Sequence, residues 1–142
     1  MRAIKFRAQD IASNKWLYGD VRHHKDDVCI FEQGGTKGEQ VKRETVGQFT
    51  GLTDKTGKEI YEGDIVECVS WNEFFSDGSG KPMEPFRRRM VVKFHNGAFK
   101  MIEEFPEPMK PSYWDLIYDG DIVVIGNIYN NPELLKKGSE NK

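Results

Sequence analysis

The sequence predicts a mainly β protein, on two observations. Apolar and polar residues alternate over short runs, and Gly, Asn, Asp or Pro punctuates nearly every run. No long stretch carries apolar residues at helical spacing. A length of 142 residues fits one compact domain, or a domain with a small appendage. Aromatic residues at 12% supply the rings that a disordered, solvating chain lacks. With Lys+Arg 21 against Asp+Glu 23, the net charge of -2 excludes a polybasic protein that binds nucleic acid through its whole-chain field. A local basic patch remains open to it.

The N-terminus alternates apolar and basic residues from Met1 to Arg7, whereas an export signal needs a continuous apolar segment, so Ile4–Ala8 reads as the first strand. Further strands are expected at Trp16–Val21, Val28–Glu32, Thr45–Phe49, Ile65–Ser70, Arg88–His95, Ala98–Glu103 and Ile122–Tyr129. Their short, even spacing suggests a barrel. The Ser, Gly and Pro content of Asn72–Pro85, and the three prolines of Phe105–Ser112, mark inserted loops. Asn131 is placed to cap a short C-terminal helix that begins at Pro132 and docks through Leu134 and Leu135, and a polar tail runs from Lys136 to Lys142. The longest apolar candidate, Ile122–Ile125, stops at Gly126, far short of the roughly 20 residues that cross a bilayer. No membrane role is expected. Cys29 and Cys68 stand singly in strand-like runs, which suits reduced thiols and a cytoplasmic compartment.

Two hairpins follow from turn chemistry. Asn96-Gly97 is the preferred type I′ pair, because both residues tolerate positive φ. That fixes a register in which His95 faces Ala98, Phe94 faces Phe99, Lys93 faces Lys100 and Val92 faces Met101. The same register sets Arg89 opposite Glu104. Asp54-Lys55-Thr56-Gly57-Lys58 reads as a type I turn closed by a left-handed Gly57 in a G1 bulge. In addition, Tyr61-Glu62-Gly63-Asp64-Ile65-Val66 recurs as Tyr118-Asp119-Gly120-Asp121-Ile122-Val123. In each copy glycine permits a sharp turn, aspartate can accept from nearby amides, and a β-branched pair starts a strand. A Gly-Asp-x-Val start of this kind is familiar in small SH3-like barrels.

The run from Thr45 to Val66 closely resembles the YopX family of phage- and prophage-encoded proteins. Ile4–Ala8, Tyr18-Gly19-Asp20, the hairpin Val92–Phe99 and the closing Ile125–Leu135 are similar to that family in the same order. The resemblance implies a β-rich protein whose C-terminal part is an SH3-like barrel, acting inside a bacterium in phage or mobile-element biology. The expected organisation is an N-terminal β extension over 1–50, a barrel over 51–135 with an insertion loop at 72–86, and the tail at 136–142. The family motifs contain no recognised catalytic set.

Candidate chemistry is sparse. Gly51–Glu59 lacks the spacing of a phosphate loop, since five residues separate its glycines and Glu59 follows Lys58. Glu62, Asp64, Asp119 and Asp121 read as turn carboxylates rather than a cation site. Adjacent His23 and His24 point to opposite faces of a strand and cannot easily share a metal, and His95 stands alone beside a turn. No metal or cofactor is expected. One patch is basic: Arg87, Arg88 and Arg89 precede Lys93 and Lys100, and the opposed lysines should repel unless an anion or a neighbouring carboxylate relieves them. Trp71, Phe74 and Phe75 lie amid Asn, Ser and Gly, where rings of this size signal either packing onto the barrel or self-association.

The expected function is a non-enzymatic binding or assembly module acting through protein–protein contacts, with itself and with an unidentified phage or host protein. The alternative is a nucleic-acid-binding accessory protein that presents Arg87, Arg88, Arg89, Lys93 and Lys100 to phosphates.

Overall fold

Among the described residues of the computed structural model, 3–32, 35–70, 86–104, 109–116 and 121–135, the strands form two antiparallel sheets. The first holds β1 (Phe6–Gln9), β2 (Trp16–His24), β3 (Asp27–Phe31), β4 (Gly38–Gln40), β5 (Gly47–Thr53) and β6 (Glu59–Tyr61), in the order β4-β3-β2-β1-β5-β6. The second holds β7 (Asp64–Ser70), β8 (Phe86–His95), β9 (Ala98–Glu103), β10 (Ser112–Asp115) and β11 (Asp121–Asn127), in the order β10-β9-β8-β7-β11. The first sheet therefore continues past residue 50, and the chain changes sheets at Glu62-Gly63.

Both hairpins form as their turn residues require. Asn96 and Gly97 have φ of 50° and 83°, and all four expected partnerships from His95↔Ala98 to Val92↔Met101 are present. Gly57 has φ 90°, its N–H donates to Asp54 O at 3.0 Å, and the Asp54 N–H donates to Lys58 O at 2.8 Å. Gly63 likewise has φ 89°, and the Asp64 carboxylate accepts the Tyr61 N–H at 2.8 Å, which is the turn role expected of it. In the second copy Tyr118, Asp119 and Gly120 lie outside the described residues, and Asp121–Val123 open β11.

The expected SH3-like barrel is not closed. No ladder joins β10 to β11 among the described residues, so the second sheet remains open. Part of the outer edge of β11 is occupied from the first sheet: Lys55 N–H donates to Ile122 O at 3.1 Å, and Val124 N–H donates to Asp54 Oδ2 at 2.9 Å. The expected C-terminal helix is a single 3₁₀ turn over Pro132–Leu135. Asn131 Oδ1 accepts from the Asn127 N–H behind it at 3.3 Å instead of capping the amides ahead. Three short strands, β4, β6 and β10, arise where the sequence lacks a clear alternating run. β5 starts at Gly47 because Arg43–Thr45 forms a 3₁₀ turn, which closes with Val46 N–H donating to Arg43 O.

Each sheet has its own core. Ala8, Val28, Ile30 and Val41 pack on one face of the first sheet with Phe6, Leu17, Val21 and Val46. Val66, Met90, Val92, Met101 and Val124 fill one face of the second, joined by Ile60 from β6 and by Leu116.

Candidate functional site

Side chains alternate along β8, and the alternation sorts the basic residues. Arg87, Arg89, Lys93 and His95 fall on the outer face of the second sheet, and Lys100 joins them from β9 because it pairs with Lys93. Arg88 falls on the opposite face with Met90 and Val92, its guanidinium 5.1 Å from the Trp114 ring centre. The five residues thus do not form one surface. The outer face keeps four of them.

Those four meet carboxylates of the same chain. Arg87 and Arg89 share Glu67, at 3.1 and 3.3 Å, and Arg89 also donates to Leu134 O at 3.2 Å. Lys93 reaches Glu104 at 3.5 Å, and Lys100 pairs with Asp115 of the neighbouring β10. The β8–β9 register is the expected one, but the ion pairs differ from the expected opposition: Arg89 takes Glu67, directly across from it on β7, and Glu104 takes Lys93. The Lys93–Glu104 and Lys100–Asp115 pairs, whose carboxylates are exposed, contribute little stability each, about 0–1 kcal/mol. His95 stacks on Tyr113, with ring centres 4.4 Å apart and planes 14° from parallel. β9, the strand that carries Lys100, lies between their two strands.

Elsewhere the outcome is plain. His23 and His24 close β2 as exposed neighbours, and no group of three metal-ligating side chains occurs among the described residues. Cys29 is half-buried and Cys68 buried, and neither takes part in a disulfide. Trp71, Phe74 and Phe75 lie outside the described residues.

Sequence reasoning missed a buried charge. Arg7 of β1 and Asp64 of β7 pair at 2.7 Å where the sheets meet, with side chains 6% and 2% exposed. The Arg7 guanidinium lies 4.7 Å from the Trp16 ring centre and 5.0 Å from that of Tyr61, and it donates to Glu62 O at 3.3 Å. Burial raises the Asp64 carboxyl above its ordinary 3.8 against the opposing pull of Arg7. Tyr61 donates its hydroxyl to Glu59, and burial followed by that contact pushes its pKa upward. Around this pair Gly63 N–H donates to Val92 O at 2.8 Å, Ile128 N–H donates to Gly63 O at 2.9 Å, and Trp16 Nε1 donates to Asn130 Oδ1 at 2.9 Å. The arrangement joins the sheets and leaves neither charge available to a ligand. Arg7 was hard to find because Lys5 and Arg7 alternate with Ile4, Phe6 and Ala8, a pattern that reads as a solvent face.

The class so defined is a two-sheet antiparallel β protein with an ion-paired outer face and a buried electrostatic joint. The chain belongs to the YopX family, described as YopX protein, whose pattern it matches over residues 5–136. Among solved structures it is similar to protein EF1440 from Enterococcus faecalis, at 24% identity over 96% of this chain and 100% of that one, with a TM-score of 0.50. That likeness concerns the fold alone. No curated protein matches the chain.

Proposed function

We propose that this chain is a non-enzymatic binding module of a phage or mobile element that works in the bacterial cytoplasm through protein–protein contacts. One observation carries the reading. The face of the second sheet that buries Val92 and Met101 continues outward through Phe94, Phe99 and Trp114, which share that face by register, and Phe94 and Trp114 remain 57% and 39% exposed. Core-facing aromatics that run out into solvent characterise contact surfaces, where rings in well-packed pockets dominate affinity. Self-association through Trp71, Phe74 and Phe75 belongs to the same proposal.

The test is affinity capture from cells in which the element is active, with wild type beside a Phe94→Ser, Trp114→Ser variant, each with and without nuclease. The expected result is a protein partner that survives nuclease and high salt and is lost with the double variant. A partner retained equally by the variant refutes the surface. A second reading, a nucleic-acid-binding accessory protein, draws support from one geometric fact: Lys93 and Lys100 stand directly opposed, and their carboxylate partners are more than half exposed.

A further inference from the structure

We propose that the outer face of the second sheet binds single-stranded nucleic acid, with Lys93 and Lys100 exchanging Glu104 and Asp115 for phosphates and the His95–Tyr113 ring pair stacking against a base. The proposal rests on the second reading above and adds the ligand class and two residues that reading did not contain.

Charge comes first. Four cations, Arg87, Arg89, Lys93 and Lys100, share this face with three carboxylates that pair with them, because Glu67 serves both arginines. Glu104 and Asp115 have side chains 69% and 63% exposed, so their ion pairs are surface pairs that exchange cheaply for another anion. Two like charges directly across a ladder destabilise a sheet, and a bridging phosphate would relieve both at once. Arg87, with a side chain 61% exposed, is a further cation on this face of β8, separated from Lys93 by Arg89 and the buried Val91.

The rings come second. Tyr113 is 48% exposed on edge strand β10, and its stack with His95 bridges the strand that carries Lys100. A flat aromatic surface beside lysines on an open sheet suits unstacked bases, since every base offers a π-face and the backbone follows the charges. A duplex keeps its bases stacked inside and would use only the cations. That difference selects single strands.

The experiment is fluorescence titration of labelled dT and rU oligonucleotides and of a duplex of equal length, from 20 mM to 300 mM salt. Binding to the single strands tighter than to the duplex is expected, with the dT and rU arms separating DNA from RNA as the source. Tyr113→Leu should weaken single-strand binding about tenfold or more, the usual cost of one stacked base, while Tyr113→Phe retains it. Lys93→Gln and Lys100→Gln should each lower the slope of log affinity against log salt by about 0.7. Melting curves confirm that each variant is folded. Duplex binding that ignores Tyr113 overturns this inference and leaves the accessory reading standing. Absence of binding to any oligonucleotide at the lowest salt overturns both.

Discussion

Asp54 offers the sharpest test of how the two sheets are held. Its Oδ1 accepts from Thr56 N–H at 2.8 Å, Thr56 Oγ1 at 2.7 Å and Lys58 N–H at 3.0 Å, while Oδ2 accepts the Val124 N–H of β11 at 2.9 Å. In Asp54→Asn the single amide oxygen can keep the turn, and the NH2 then meets Val124 N–H donor to donor. Losing one buried bond to a charged acceptor costs about 2 kcal/mol, within the usual range for such bonds. For a chain of this length that corresponds to roughly 6–10 °C in melting temperature. Burial alone would raise the Asp54 carboxyl, but the bonds from Thr56, Val124 and Lys58 outweigh it and leave its pKa below the ordinary 3.8. A carboxyl depressed on folding adds stability that is present above 3.8 and drains away as pH falls through the lower, folded value. Asp64, raised by burial, shifts stability in the opposite sense, so wild-type acid denaturation mixes the two. The difference between wild type and Asp54→Asn isolates Asp54. Urea unfolding of both from pH 7 to pH 2 should show a gap of about 2 kcal/mol that narrows only below about pH 4. A gap under about 0.5 kcal/mol at pH 7, or one that stays constant to pH 2, would refute the role assigned to this carboxylate.

Two further expectations concern the same framework. Gly57→Val should cost about 1–2 kcal/mol from backbone conformation alone, since φ is 90° and an added Cβ meets nothing within 4 Å; an unchanged melting temperature would remove the bulge from the argument. Arg7→Met or Asp64→Asn alone should destabilise by about 3–5 kcal/mol because each leaves its partner uncompensated, and the combination Arg7→Met, Asp64→Asn should cost less than the sum of the two by denaturant unfolding. Additive single and double effects would show that the pair is not coupled.

What could be read in the sequence follows from how local the cause is. The Asn96-Gly97 and Lys55–Gly57 turns depend on residues within them, so their geometry and registers were legible, and so was the Asp64 turn bond. β4, with Gly38-Glu39-Gln40, is strand only because β3 supplies a ladder, and its composition says nothing of it. β10 follows Pro111 and is an edge strand paired only with β9 among the described residues. The barrel expected from the Gly-Asp-x-Val start fails to close for a nonlocal reason, since a turn from the first sheet binds along β11. Arg7 misled for a related reason. β1 is an interior strand, and its basic face is covered by rings and by Asp64, a burial that no local pattern of charges encodes. The basic surface was half legible: the Lys93–Lys100 opposition follows from the turn, whereas the pairing of Arg87 and Arg89 with Glu67 depends on β7.

The joint at Gly63 also sets an order of events for a chain growing from its N-terminus. Arg7 is made early, yet its acceptor on Glu62 lies 55 residues later, and the acceptor for the Trp16 indole lies 114 residues later. At synthesis rates of about 5–20 residues per second, the Arg7 partners arrive as β6 completes the first sheet, whereas the Trp16 indole waits several seconds longer for its own. Contacts this distant in sequence slow folding, because a large loop must close before any of them forms. The nascent chain therefore spends its vulnerable interval with the N-terminal sheet exposed, and that interval ends only when Asn130 has left the ribosome.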